Sequence, residues 1–454
     1  MQKVFLLFSV IILGNFVSAQ TNTVEPCGHR ELMDQLENQY PGFKKQLDID
    51  YLKSVRSTFD VTPRKKISKD TIYYYDTVYT MPVVFHVLYS NAAENVHDSL
   101  LLNQLEVLNR DFRRMNFDTT NTRAIFKPRA GDARIQFEIA KVDPSGKPTT
   151  GIIRKPTTVT SWGGGSGINN KMKSSYTKGS SPWDPKKYIN VWVCDLSSNG
   201  TDGLLGFAYP PFGHPSWTQT SWVADSNQGV ALHYKIIGRN NPQSNTSMLN
   251  TSRMGRVAVH EFGHYFGLRH IWADDQFSVN RCSLDDYIDD TPLQGLGSNF
   301  DCNKNLNSCI EPKNDMPDMV ENYMDYSSHQ CQNLFTKRQV ITMRNAVSQF
   351  RFDLPVKTEI IVKTRIFDTV VYDQVLIYPV SKDNRLKIEV RNQDIVDHLS
   401  FEVYNMIGQK IEDNQIINKN MTEISTSRYP SATYIVLLRA LDGRVVKKQK
   451  VVIN

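Results

Sequence analysis

Beyond Gln20 the chain has no apolar run long enough for a membrane-crossing helix, which excludes a helical membrane protein. It also lacks any block of one charge. The net charge is +6 over 454 residues, and the densest basic run, Lys447-Lys448-Gln449-Lys450, reads as the solvated part of a last strand. A nucleic-acid partner would need a clustered basic face, so none is expected. Phosphate-loop chemistry is missing too: Trp162-Gly163-Gly164-Gly165-Ser166-Gly167 is not followed by Gly-Lys-Ser/Thr, and it reads as a flexible loop. Cysteine is sparse, six in all, yet Cys282, Cys302, Cys309 and Cys331 crowd into one stretch, leaving Cys27 and Cys194 apart.

What is present is globular. Hydrophobic residues make up 40% of a chain too long for one ordinary domain, so two or three are expected. Lys3, the apolar run Val4–Leu13 and the small residues Val17-Ser18-Ala19 form a secretory signal, so residues 1–19 are expected to be removed on export. Export permits disulfides, and the clustered cysteines are candidates.

The chemistry concentrates in His260-Glu261-Phe262-Gly263-His264-Tyr265-Phe266-Gly267-Leu268-Arg269-His270. Four residues apart on a helix, His260 and His264 share a face and can grip one Zn²⁺, with Glu261 beside the open position. His270 lies about 9 Å further along a continuous helix, whereas zinc ligands sit about 2 Å from the ion. The chain must therefore turn, and Gly267 allows it. The bare HExxH should arise by chance in roughly one such chain in a hundred, and the full motif in roughly one in 10⁵. That gap decides against the rival reading, a core helix whose histidines are merely hydrogen-bonded.

The motif resembles that of the metzincin clan of metallopeptidases, and Glu321-Asn322-Tyr323-Met324-Asp325-Tyr326-Ser327 supplies the methionine turn that follows it. Asn322–Ser327, a following cysteine, Phe335-Thr336 and Asp289-Asp290-Thr291-Pro292 resemble the pappalysin family within that clan, over about residues 255–350 and more weakly back to residue 80. The resemblance implies disulfides Cys282–Cys309 and Cys302–Cys331, an apolar floor at Met324 and a supporting phenol at Tyr326. It also implies structural Ca²⁺ in the acidic stretch after the motif, where Asp286 and Thr291 are the chosen ligands. Family members hold their pro-segment with a Cys-Gly pair, and Cys27-Gly28 is the candidate cysteine switch, flanked here by Pro26 and His29. Relatives that cut before Arg or Lys carry an acidic residue shortly ahead of the cysteine matching Cys331. Ser328-His329-Gln330 stands there, so His329 is the expected pocket residue and basic-residue preference is expected to be weak.

Helical patterning runs from Arg30 to Leu52, with candidate activation cuts after Arg56 or within Arg64–Lys66. Met81–Tyr89, Arg134–Ala140, Tyr188–Val193 and Gly229–His233 read as strands, and Asp98–Asn116 as a helix capped by Asp98. Gly203–Pro210 resembles the family's approach to the upper-rim edge strand, to which a peptide can add. His86 is expected to be structural, Cys194 a buried thiol, and His233 a surface residue or a support behind the ligands. Thr336-Lys337-Arg338-Gln339 is a capping box opening a helix.

Past the linker, Leu386, Ile388 and Val390 alternate, as do Phe401 and Val403, and Asp442-Gly443 marks a hairpin. This part reads as a β-sandwich. Ile377-Tyr378-Pro379, Val403–Gln409 and Tyr434-Ile435-Val436 resemble C-terminal sorting domains of type IX secretion substrates, although Ala432 replaces the usual glycine. A carbohydrate- or substrate-binding module is the alternative.

The expected architecture is an α+β metzincin catalytic domain, a mixed sheet plus zinc helix, with a C-terminal all-β sandwich. Its parts are a signal (1–19), pro-segment (20–75), catalytic domain (76–352), linker (353–370) and sorting domain (371–454). The expected activity is that of a secreted zinc endopeptidase, extracellular or cell-surface, in which Glu261 takes the proton of a zinc-bound water as it attacks a peptide carbonyl. Its partners are protein or peptide substrates and the secretion machinery, and it is expected to be a monomer. A non-catalytic zinc-containing binding protein on the same fold is the alternative, which the intact Glu261 disfavours.

Overall fold

The structure is a computed structural model that describes residues 26–56, 64–68, 71–163, 168–198, 203–211, 225–244, 249, 251–273, 281–312, 315–351, 353–354, 356–365, 374–391, 396, 399–440 and 445–453. The expected signal, most of the glycine-rich loop and the Asp442-Gly443 turn lie outside these residues. The chain divides into two compact units, Met1–Ser57 with Thr80–Pro355, and Thr58–Tyr79 with Val356–Asn454. Val356–Arg365, inside the expected linker, forms a strand.

In the first unit, Val83–Val87 of the long strand Thr71–Tyr89 runs parallel to Ile189–Cys194, and Phe85–Tyr89 runs parallel to Ile152–Pro156. Val230–His233 continues the parallel order, and Gly206–Ala208 closes it as an antiparallel edge. The sheet is therefore mixed. Val83, Val84, Phe85 and Val87 are all buried, as expected of a strand covered on both faces.

Helix α1 (His29–Gln39) and helix α2 (Phe43–Arg56) replace the single helical stretch expected there. Pro41-Gly42 separates them, with Gly42 in the left-handed region at φ +94°, which ends a helix without strain. Helix α3 (Asp98–Phe112) buries Leu101, Leu105, Leu108 and Phe112. Its cap is His97, whose Nδ1 accepts from the Ser99 amide, and Asp98 is the first helical residue. Edge-on contacts of the Phe112 ring with Phe137 (5.1 Å) and Phe266 (5.9 Å) tie α3 to the sheet and to the end of helix α4 (Arg256–Tyr265). Helix α5 (Lys337–Phe350) opens with the Thr336–Gln339 capping box and buries Val340, Met343 and Val347.

The second unit contains a three-stranded antiparallel sheet (Val375–Val380, Arg385–Val390, Met421–Ser425) and a four-stranded one (Lys410–Ile416, Leu399–Asn405, Ala432–Ala440, Val445–Ile453). Leu386, Ile388 and Val390 from the first meet Phe401, Val403 and Val436 from the second in one apolar core. Each such side chain contributes about 1.5–3 kcal/mol on burial. Lys447 Nζ and Gln449 Nε2 reach the Val375 and Ile377 carbonyls, both at 2.5 Å, and occupy acceptors along that strand.

Candidate active site

Every residue of α4 is buried, so it runs through the interior of its unit. Gly263 gives it room: a Cβ there would lie 2.4 Å from the Met324 sulfur, so the turn after Tyr323 closes directly against the helix. The helix ends where the sequence required a turn. Gly267 has φ +90°, its amide donates to His264 O at 2.8 Å, and Leu268 N donates to Gly263 O at 2.9 Å. His270 is thereby brought back, and the Nε2 atoms of His260, His264 and His270 stand 3.1 Å from one another.

The protons decide what this triangle can hold. His260 Nδ1 lies 2.7 Å from Tyr323 O and His264 Nδ1 lies 2.8 Å from Leu268 O. A carbonyl only accepts, so both Nδ1 atoms carry the proton and both Nε2 atoms present lone pairs. Burial, with the neighbouring imidazoles, holds the His264 pKa well below its usual value, so the ring stays neutral. Converging lone pairs with no proton between them repel unless a cation sits among them, and the Cys27 sulfur belongs to the same four-residue cluster. Three imidazoles and a thiol form a zinc-type donor set, so the residues fit the metal.

Glu261 is fully buried beside His260, and burial pushes its carboxyl up to about 8, with the Cys27 thiol opposing. The edge strand abuts it: a Cβ on Gly206 would lie 2.8 Å from Glu261 Cγ. Cys27 pairs with Gly206 in a parallel bridge, through Gly28 N to Gly206 O at 2.9 Å and Leu205 N to Pro26 O at 3.3 Å. Gly28 is needed there, because a Cβ would come 2.6 Å from Ile168 Cδ1 and 3.2 Å from Phe207 Cβ. Tyr326 meets His270 edge-on at 4.8 Å, with its phenol 3.5 Å from Cys27 O.

The structure joins Cys282 to Cys309 and Cys302 to Cys331. Asp286 is buried; its Oδ1 accepts from Ile288 N (3.0 Å) and Thr291 Oγ1 (2.8 Å), while no donor reaches Oδ2. Burial and the neighbouring Asp285 carboxylate push the Asp286 pKa well up. His329 lines a cavity beside Glu261, its Nδ1 facing the Met254 and Arg256 amides at 3.3 and 3.4 Å. Burial and then Arg256 keep it neutral. His86 is held between Ser180 and Asn190, and Cys194 is a buried free thiol. His233, expected at the surface or in support, is fully buried, 3.7 Å from Asp195.

Three neighbours of the site escaped the sequence reading. Trp272 lies flat on His270 at 4.4 Å, His29 lies flat on His264 at 4.0 Å, and Asp325 lines the cavity with His329. Trp272 had a signal, being two residues past the motif. His29 stood out only as a departure beside Cys27.

A buried helix, a glycine turn and three metal-facing imidazoles over a methionine turn define a zinc metalloendopeptidase of the metzincin type. The family described as "Pregnancy-associated plasma protein-A" matches residues 173–348, and the "Secretion system C-terminal sorting domain" matches 376–454. Extracellular metalloproteases of Arthroderma gypseum and Arthroderma benhamiae are 28% and 29% identical over 273 residues, 60% of this chain and 73% of each of theirs. A Tannerella forsythia promirolysin mutant is 34% identical with TM-score 0.57, covering 73% of this chain and 97% of that one. Mature mirolysin with a cleaved peptide is 37% identical with TM-score 0.51, covering 62% and 96%. The chain belongs to the pappalysin family of metallopeptidases and carries a type IX secretion sorting domain, so it is a secreted enzyme. The non-catalytic alternative is set aside.

Proposed function

We infer that the chain is made as a latent endopeptidase whose residues 20–75 form a pro-segment and whose C-terminal unit is a β-sandwich read by the secretion machinery. The observation that carries this is the Nε2 triangle with Glu261 beside it and Cys27 over it. Zinc held by His260, His264 and His270 supplies Lewis acidity toward a water and a peptide carbonyl. Glu261 takes the proton of the attacking water and delivers it to the leaving amine. Tyr326 is placed to donate to the carbonyl oxygen as charge develops, and Met324 floors the histidines. Cys27 occupies the position that water and substrate require, which is the cysteine switch. Its backbone pairs with Leu205 and Gly206 at the start of the edge strand, which a peptide substrate would otherwise take.

His329 stays neutral and offers a basic side chain no counter-charge, so a weak preference for basic residues is proposed. Asp286 and Thr291 are proposed as Ca²⁺ ligands, on the donor-free Oδ2 of Asp286. The enzyme is proposed to act as a monomer, since one chain supplies every site residue.

The test is casein hydrolysis by the trypsin-cut protein and by Glu261→Ala, with zinc measured in both. General-base loss should lower the rate by about 10²–10⁴-fold while zinc stays bound. A Glu261→Ala enzyme that keeps a tenth of the activity would sink the assignment.

A further inference from the structure

We propose that α2 is a second, zinc-independent latch on the catalytic unit, docked on a surface made by Arg269, the Asp286 carbonyl and Asn345. The proposal rests on the latent-enzyme reading above and adds to it a partner for this surface, the chain's own helix 43–56.

Three contacts place the helix. The Tyr51 phenol donates to Asp286 O at 2.6 Å. The Arg269 guanidinium lies 4.1 Å over the Tyr51 ring and pairs with the Asp48 carboxylate. Asn345 Nδ2, on α5, donates to Ser54 O at 2.8 Å. Phe43, Asp50, Tyr51 and Ser54 are the buried face of α2, and a cavity lined by Leu47, Tyr51, Pro211, Leu268 and Ala346 lies along that contact. The sites touched are far apart in sequence, so only the folded catalytic unit presents them together. A cation over an aromatic ring, a phenol on a carbonyl and a buried apolar anchor form a specific recognition set.

None of these contacts uses a zinc ligand or the Cys27 thiol. Two anchors on one segment act bivalently, each keeping the other at high local concentration. Loss of the thiol should therefore leave the segment docked through α2, with Arg269, the residue before His270, still gripped. Loss of both should release it.

The full-length chain tests this as uncut Cys27→Ser, Asp48→Ala/Tyr51→Ala and the triple variant, with mass spectrometry confirming that each is intact. Trypsin then cuts every variant. The substituted residues lie in the segment proposed to leave, so the cut enzymes should match wild type, which checks their folding. Uncut Cys27→Ser is expected at least tenfold below its own cut form, and the triple variant within about twofold of its cut form. Full activity of uncut Cys27→Ser, or a triple variant no more active than Cys27→Ser, overturns the latch. Activity of uncut Asp48→Ala/Tyr51→Ala with Cys27 intact would instead count against the cysteine switch. Hydrogen exchange on wild-type chain stripped of zinc by a zinc-selective chelator, with Ca²⁺ kept in the buffer, gives an independent arm. Residues 43–56 should keep their protection while 26–32 lose it, and joint loss overturns the proposal.

Discussion

The two units of this chain handle polarity in opposite ways. Around the zinc helix, charges are buried and bonded: Arg256, fully buried, binds the carboxylates of Asp111 and Asp118 and the carbonyls of His329 and Gln332. Among the described residues of the C-terminal unit, Ser400, Glu402 and Thr426 are the buried polar ones, and the core is otherwise branched aliphatics and aromatics in alternation. A catalytic unit must hold imidazoles, a carboxylate and a phenol at fixed positions in a dry interior, which takes a network with its hydrogen bonds met. A scaffold unit needs only two apolar faces.

If that contrast is right, one substitution in the network should do more damage than one in the scaffold core. Arg256→Met leaves Asp111 and Asp118 buried without their counter-charge, and breaking such a group costs about 3–5 kcal/mol. Calorimetry should show the transition of the catalytic unit falling and that of the C-terminal unit unmoved. A loss under 1 kcal/mol would mean the network is dispensable. Next in size is Leu438→Ala, which empties a fully buried site in the four-stranded sheet and should destabilise that unit by about 2–5 kcal/mol. The cut enzyme should keep wild-type turnover; a parallel fall in activity would erase the distinction between the units.

The same contrast governs how much of each unit could be read from residues alone. Local spacing carried the zinc motif, since four residues and a glycine are enough to bring three imidazoles together. Alternation carried the C-terminal strands, because period two is a local property. The Arg256 network was invisible because its partners lie 145 and 138 residues away. His29 stacks on His264 through tertiary packing, which no spacing announces. Periodicity ran through Pro41-Gly42 and hid the break between α1 and α2, although the dipeptide itself signals a stop. Val356–Arg365 is mostly β-branched or alternating, so its strand was there to be read inside the expected linker.

Trp272→Leu addresses the proposed zinc site without touching its three histidines. The indole fixes the plane of His270 by face-to-face contact at 5°. Losing groups that orient a metal-bound histidine typically weakens affinity about 10–100-fold. Competition with a chelator should show the lower end of that range, with Trp272→Phe closer to wild type because a flat ring remains. Equal affinity for Leu and native Trp would show that the backbone turn at Gly267 orients His270 unaided.

The smallest effect expected is Thr336→Ala at the start of α5. Thr336 Oγ1 accepts from Gln339 N at 3.1 Å, and Gln339 returns the bond to the Thr336 amide at 2.9 Å, while its Nε2 reaches Asn322 in the methionine turn at 3.2 Å. Loss of the cap should destabilise the catalytic unit by about 1 kcal/mol. Because Gln339 also touches Asn322, whose Oδ1 accepts from the Met324 amide at 2.9 Å, the cap is coupled to the floor under the histidines. A Thr336→Ser chain, which keeps the hydroxyl, should recover both stability and zinc affinity. Recovery of stability alone would show that the cap and the metal site are separate.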